Sequence, residues 1–240
     1  VNEVLRATAP VVPETVSLAA LRRGEADFTT PGRLLIVEGE TDADLAQTAA
    51  LAARSGPPTC WAGPAAFAFY LPALFAIPTG TPAPVPCQPP FLLINGSMHM
   101  ASVHQKNRAI ESGYLDVEVN DQTFAQGGLA ARAIAALRAG QSVALYHFRD
   151  ETEDAHKINT RLVQTARQIL DAVLPGTLVL FGGETSQTVL RETGAVHCRI
   201  LKQIDWGVVL MEACTPHGTF NIITKSGGFG PPDLLERISL

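Results

Sequence analysis

Thr177-Leu-Val-Leu-Phe-Gly-Gly-Glu-Thr-Ser-Gln-Thr-Val-Leu190 is the stretch on which the reading of this chain turns. The apolar run 178–181 predicts a buried strand, and Gly182 and Gly183 end it. Thr185 or Ser186 can then cap a helix running toward Glu192. A strand, a glycine turn and a helix N-terminus together hold anions well. Glycine lets a phosphate approach the backbone, and the unpaired N–H groups of the first helical turn point at it. Downstream, Ile222-Ile-Thr-Lys-Ser-Gly-Gly-Phe-Gly230 repeats the theme and adds Lys225. These two segments are expected to face each other across one nucleotide.

Working outward, the neighbouring segments predict an α/β protein with a mostly parallel sheet flanked by helices. Strands are expected at 91–94, 114–119 and 143–148, and helices after Asn95-Gly-Ser97 ending near Gly113, over 128–139 and over 156–174. After the glycine strand, 198–201 and 208–211 read as a hairpin, 220–223 as a further strand and 233–238 as a short last helix. Upstream, a short helix over 16–23 ends at Gly24, a strand follows at 34–37, and Thr41 or Asp42 can cap a helix through Ala52. A strand at 59–62 and a helix opening at Pro64 would complete a short N-terminal β-α-β-α unit. Pro78, Pro82, Pro84, Pro86, Pro89 and Pro90 favour an extended connection between the two parts. The expected domains are therefore 1–77, a linker at 78–90, and 91–240.

Composition excludes several classes. A net charge of −5 and no Lys/Arg stripe argue against nucleic acid as a partner. No Asp, Glu, Lys or Arg occurs from Ser55 to Gln105, but ten prolines cut that stretch well below the ~20 apolar residues of a membrane helix. No apolar leader is visible, because Asn2, Glu3 and Arg6 interrupt it. Cys60, Cys87, Cys198 and Cys214 form no Cys-x-x-Cys pair, which fits reduced thiols in a cytoplasmic protein. His99 and His104 are five apart rather than four, and His197 and His217 show no ligand spacing, so no transition metal is expected. The acidic run 150–154 lacks an EF-hand spacing and reads as a solvated loop.

Three strand ends carry glycine: Asn95-Gly96-Ser97, Gly182-Gly183-Glu184-Thr185, and Ser226-Gly227-Gly228-Phe229-Gly230. In a parallel sheet, ligands sit beyond the carboxyl ends of the strands, so such turns would line one crevice. None of them is a Walker A loop or a Gly-x-Gly-x-x-Gly fingerprint. Lys225 is read either as a charge on phosphate oxygens or as a solvated strand end. Glu184 is read either as a carboxylate orienting water on a metal or as a favourable charge at a helix N-terminus. No Ser/His/Asp triad can be drawn, and no catalytic residue is assigned.

At Gly182-Gly183-Glu184-Thr185-Ser186, at Thr224-Lys225-Ser226-Gly227-Gly228-Phe229-Gly230, and at Gly96-Ser97 with Ser102 and Gln105, the chain resembles the four-carbon acid sugar kinase family. Residues 91–240 match its nucleotide-binding domain. Glu38-Gly-Glu-Thr-Asp-Ala-Asp-Leu45 and Trp61-Ala-Gly-Pro-Ala-Ala-Phe67 more weakly resemble the closing elements of its substrate domain. The resemblance implies phosphoryl transfer from ATP to a tetronic acid such as threonate, erythronate or a 2-oxo-tetronate, with Mg²⁺ on the phosphates. It implies that Ser97, Gly182, Gly183, Glu184, Thr185, Lys225, Gly227, Gly228 and Gly230 hold ATP. The family's Asp-Asp-x-Thr-Gly motif has no counterpart here, since no two Asp residues are adjacent. The expectation is thus a fragment of a longer kinase or a shortened relative. The expected partners are ATP and a small sugar acid, with a homodimer as one option and no membrane. The competing expectation is a nucleotide-binding module without catalysis.

Overall fold

A computed structural model describes residues 11–54, 60–78, 80, 86–147, 155–215 and 218–238. The chain divides into two compact units, Val1–Thr81 and Pro82–Leu240.

The first unit pairs β1 (Glu14–Val16) in parallel with β2 (Leu35–Val37), connected through α1 (Leu18–Arg23). Gly24 ends α1 in the left-handed conformation, as the sequence leads one to expect, while Ser17 caps its start and Val16 belongs to β1 rather than to the helix. α2 (Asp42–Ala52) follows, then a 3-10 helix (Ala65–Tyr70) that Pro64 opens and α3 (Leu71–Leu74). The β-α-β-α order is present and β2 falls on the strand expected at 34–37, but its partner strand is not the one expected. The strand at 14–16 was not read from the sequence, while residues 60–62 of the expected strand 59–62 have no regular structure and residue 59 lies outside the described residues. Trp61 packs toward Phe67 instead, with ring centroids 6.3 Å apart, and so anchors an irregular segment.

The second unit is built on a seven-stranded sheet ordered β4-β5-β3-β6-β9-β8-β7. Its strands are β3 (Phe91–Asn95), β4 (Leu115–Glu118), β5 (Val143–Tyr146), β6 (Thr177–Phe181), β7 (His197–Asp205), β8 (Val208–Thr215) and β9 (Gly218–Lys225). The first five in sheet order run parallel, and β8 pairs antiparallel with both β9 and β7. The helices are α4 (Met100–Glu111), α5 (Asp121–Gln126), α6 (Leu129–Arg138), α7 (Ala155–Ala172), α8 (Gly183–Glu192) and α9 (Leu234–Arg237). α5 is an addition to the sequence reading; its capping box, Asn120 with Thr123, is polar and carries no apolar period.

Burial on both faces explains the near-continuous apolar runs of the central strands. Leu92 and Ile94 of β3 join Leu178 and Leu180 of β6 under α6, α7 and α8. Phe91 and Leu93 join Val179 and Phe181 on the opposite face, against α4 and α9. This two-residue alternation pins the register. Asn95 lies opposite Phe181, and Phe181 opposite Lys225, so three adjacent strands end level.

Candidate functional site

Each of those three strands runs into a glycine turn at the same edge. Gly96 N donates to Phe181 O (3.0 Å) and Gly182 N donates to Lys225 O (3.2 Å), so the ladder continues one step past the strands. Beyond it opens a cleft of about 380 Å³. Of the residues expected to hold ATP, Ser97, Gly182, Gly183, Glu184, Thr185 and Gly227 line it. Gly228, Gly230 and Lys225 are not among its lining residues.

Close approach explains two of the glycines. A Cβ at Gly96 would run into the Thr185 hydroxyl, and one at Gly227 would lie 2.8 Å from Ser97 Oγ. At these two positions the turns pack backbone against side chain, with no room for a larger residue. Gly182 has φ +100° and forms the N-cap of α8, which has no side-chain cap. The N–H groups of Gly183, Glu184 and Thr185 therefore have no intrahelical acceptor. All three residues line the cleft. A Cβ at Gly183 would meet nothing within 4 Å, so the approach to these amides is clear. Ser97 is held by its own turn: its N–H donates to Asn95 Oδ1 (2.9 Å), and its Oγ accepts from His99 N (3.3 Å).

Lys225 departs from both roles read from the sequence. It is 2% exposed, so it is not a solvated strand end. Its ammonium is engaged beneath the loop that follows it, donating to Ser102 Oγ (2.9 Å), Gly227 O (2.9 Å), Phe229 O (3.1 Å) and Ser226 O (3.3 Å). An ammonium has three donors, and here they are used up, so direct contact with phosphate oxygens is not what this geometry provides. Burial pushes its pKa down to about 8. Gln105 braces the same loop, its Nε2 donating to Pro231 O (2.8 Å), Gly230 O (3.0 Å) and Phe229 O (3.2 Å). Gly230 packs against Gln105 and Leu234, and Gly228 against His99, whose Nδ1 caps α4 by accepting from Ala101 N (3.2 Å). Gly228 and Gly230 therefore shape the loop rather than line the cleft.

The structure adds lining residues that were not read from the sequence: Met98, His147 and Asn159. Asn159 lies on α7 and its Oδ1 accepts from the Thr185 hydroxyl (3.0 Å). Nothing in an amphipathic helix distinguishes that one polar residue from its neighbours. His147 directly follows β5, and the rule that ligands gather beyond parallel strand ends was a usable signal for it. Among the described residues no group of three His, Cys, Asp or Glu is placed to hold a metal ion. Glu184 is the carboxylate of the cleft lining.

A family profile described as "Nucleotide-binding C-terminal domain" matches residues 92–235. A D-threonate kinase of Cupriavidus necator is 29% identical over 230 residues, which cover 88% of this chain and 54% of the kinase. The chain thus spans about half the length of the curated relative it matches. A Haemophilus influenzae protein of known crystal structure has TM-score 0.65 and 18% identity, covering 99% of this chain and 62% of its own. A Bordetella bronchiseptica domain of unknown function, crystallised with citrate as a domain-swapped dimer, has TM-score 0.53 and 21% identity, covering 94% and 57% respectively. At identities this low, the likeness to the two crystal structures shows the fold alone. With the matched profile and the three glycine turns, the chain belongs to the four-carbon acid sugar kinase family, residues 92–235 being its nucleotide-binding C-terminal domain.

Proposed function

We propose that this chain supplies the nucleotide-binding part of a kinase that transfers the γ-phosphoryl group of ATP to a hydroxyl of a four-carbon sugar acid, of the threonate, erythronate or 2-oxo-tetronate type. The observation that carries the reading is the uncapped start of α8, where three unpaired amides adjoin an open cleft. The similarity to a D-threonate kinase supports the acceptor class. On this reading residues 91–240 are the nucleotide domain, 78–90 the connection, and 1–77 belong to the part that handles the acid. A cytoplasmic location goes with it, where ATP is present and the four free cysteines stay reduced.

The amides of Gly183, Glu184 and Thr185 would bind phosphate oxygens, in a cleft that Ser97 and Gly227 also line. Phosphoryl transfer rests mainly on positioning and charge stabilisation, which such a rigid amide cradle supplies. Mg²⁺ fits as an ion carried chiefly by the phosphates, since Glu184 is one carboxylate and Mg²⁺ commonly takes only one or two beside its waters. A carboxylate so close to an anion would otherwise repel it. Asn159 holds the Thr185 hydroxyl and thereby the orientation of the first turn of α8.

The test is thermal unfolding with and without MgATP, followed by radiolabelled phosphate transfer to D-threonate and D-erythronate. A ligand that binds only the folded state raises its melting temperature, by an amount that grows with concentration. Gly183→Val places two methyl groups in the cleft mouth and should remove the shift with the apo stability unchanged. An MgATP shift without transfer to either acid would favour the alternative, a nucleotide-binding module without catalysis. Retention of the full shift by Gly183→Val would refute the site assignment.

A further inference from the structure

Lys225 is a buried cation whose every hydrogen-bond acceptor is neutral. Its Nζ also lies 4.5 Å from the centroid of the Phe181 ring. Among the described residues no carboxylate pairs with it. A cation in such a place is costly, and hydrogen bonds to carbonyl dipoles offset only part of the cost. The same residue joins two of the three glycine turns of the cleft. Its carbonyl accepts from Gly182 N, and its ammonium is bonded to the carbonyl of Gly227, a lining residue.

We propose that Lys225 is the positioning residue and hidden counter-charge of this cleft: without touching the ligand, its ammonium clamps the 226–229 loop to Ser102 and supplies, from beneath, the positive potential that a bound polyphosphate neutralises. The inference rests on the nucleotide reading of the cleft. A polyanion one peptide layer above a buried ammonium is poorly screened by salt, so the two stabilise each other. That coupling is reciprocal: if the charged lysine favours the anion, the anion favours the charged lysine.

A pH dependence follows. Burial lowers the proton affinity of Lys225 to a pKa of about 8, and a bound polyphosphate raises it again. Below pH 8 the free protein already carries the charge, and binding needs no proton. Above pH 8 the free protein has lost it, so binding must take one up and weakens with rising pH. At pH 9 about one-tenth of the free protein would be charged, which predicts affinity about tenfold weaker than at pH 7. The groups facing Nζ do not compete in this window: Ser102 from α4, Phe181 from β6, and the loop carbonyls. β8 sets Val208 opposite Lys225. His99, packed on Gly227 and Gly228, is the titratable group on the other side of the loop, and His147 and Glu184 lie within the cleft lining.

The experiment is calorimetric titration of the full chain with MgATP, Mg²⁺ in excess, at pH 7, 8 and 9 in two buffers of different ionisation enthalpy. Expected are the tenfold loss from pH 7 to pH 9, uptake of most of one proton at pH 9, and almost none at pH 7. Lys225→Met should bind more weakly at pH 7 and show no pH dependence. Lys225→Arg should recover much of the affinity, again without slope, because a guanidinium keeps its proton throughout. His99→Gln should keep the wild-type profile. Wild-type binding that is flat with pH, or a slope retained in Lys225→Met or lost in His99→Gln, would overturn the inference and leave the nucleotide reading standing. Absence of wild-type binding at every pH would overturn both. Should Lys225→Met fail to fold, proton uptake by the wild type still decides.

Discussion

The chain contains two strand–turn–helix units that look alike in sequence and end differently. In the first, β2 leads through residues 38–41 into α2, and the helix start is closed by its own side chains. Thr41 and Asp44 form a capping box, and Asp44, 3% exposed, also accepts from Glu40 N (3.0 Å) and Thr41 N (3.0 Å). Arg22 completes the set with a two-pronged pair to the same carboxylate (2.8 and 3.0 Å). That guanidinium, joined by the turn amides and the Thr41 hydroxyl, holds the Asp44 carboxyl well below the usual carboxylate range. In the second, β6 leads through Gly182 into α8 with no side-chain cap at all. One turn answers its amides internally and is a structural joint. The other has no side-chain cap, and the glycine is what keeps its amides bare.

Giving the second turn the character of the first should have the largest effect. Gly183→Asp places a carboxylate where phosphate is proposed to sit, and like-charge juxtaposition costs several kcal/mol, so MgATP affinity should fall at least about a hundredfold in a binding titration. The same substitution should leave apo stability unchanged or raise it by about 0.5 kcal/mol, because an acidic residue favours a helix N-terminus. Next, Gly96→Ala forces a methyl into the Thr185 hydroxyl and should cost about 1–3 kcal/mol in urea unfolding, the usual penalty of overpacking. In the first turn, Asp44→Asn should lower the melting temperature with MgATP affinity unchanged. The sign with pH is definite. A depressed folded pKa means that Asp44 contributes fully above its unfolded pKa of about 4, and that this contribution is lost as pH falls toward the lower folded value. The wild type should therefore lose its advantage over Asp44→Asn in acid. Ser97→Ala, which removes one hydroxyl of the cleft lining, should weaken MgATP only about two- to tenfold.

Much of the second unit was legible from local pattern. β6 and the start of α8 followed from an apolar run, two glycines and a polar helix opening, all within one stretch of chain. β3, β5 and α7 were equally clear because burial on both faces of a parallel strand, and on one stripe of a helix, leaves a periodic mark. The first unit was less legible. β1 is three residues long, too short to show alternation, and residues 60–62 are apolar without pairing as a strand. Apolar character alone cannot tell a strand from an irregular segment anchored by an aromatic contact.

The candidate site divides along the same line. Which turns would be bare of side chains was written in the sequence, because a glycine's lack of Cβ is a property of the residue itself. That the turns at Gly96, Gly182 and Gly227 converge was decided by strand order, since β3, β6 and β9 are neighbours in space and far apart in the chain. The direction of the Lys225 side chain was decided there too: a lysine at a strand end can reach solvent, ligand or protein, and only the packing of α4 and the 226–230 loop around it turns the ammonium inward. Asn159 entered the cleft by the same route, carried there by the docking of a helix whose own pattern encodes only its buried stripe. Backbone character is local and can be read from neighbours in the chain, whereas the meeting of side chains depends on contacts that close only when the sheet does.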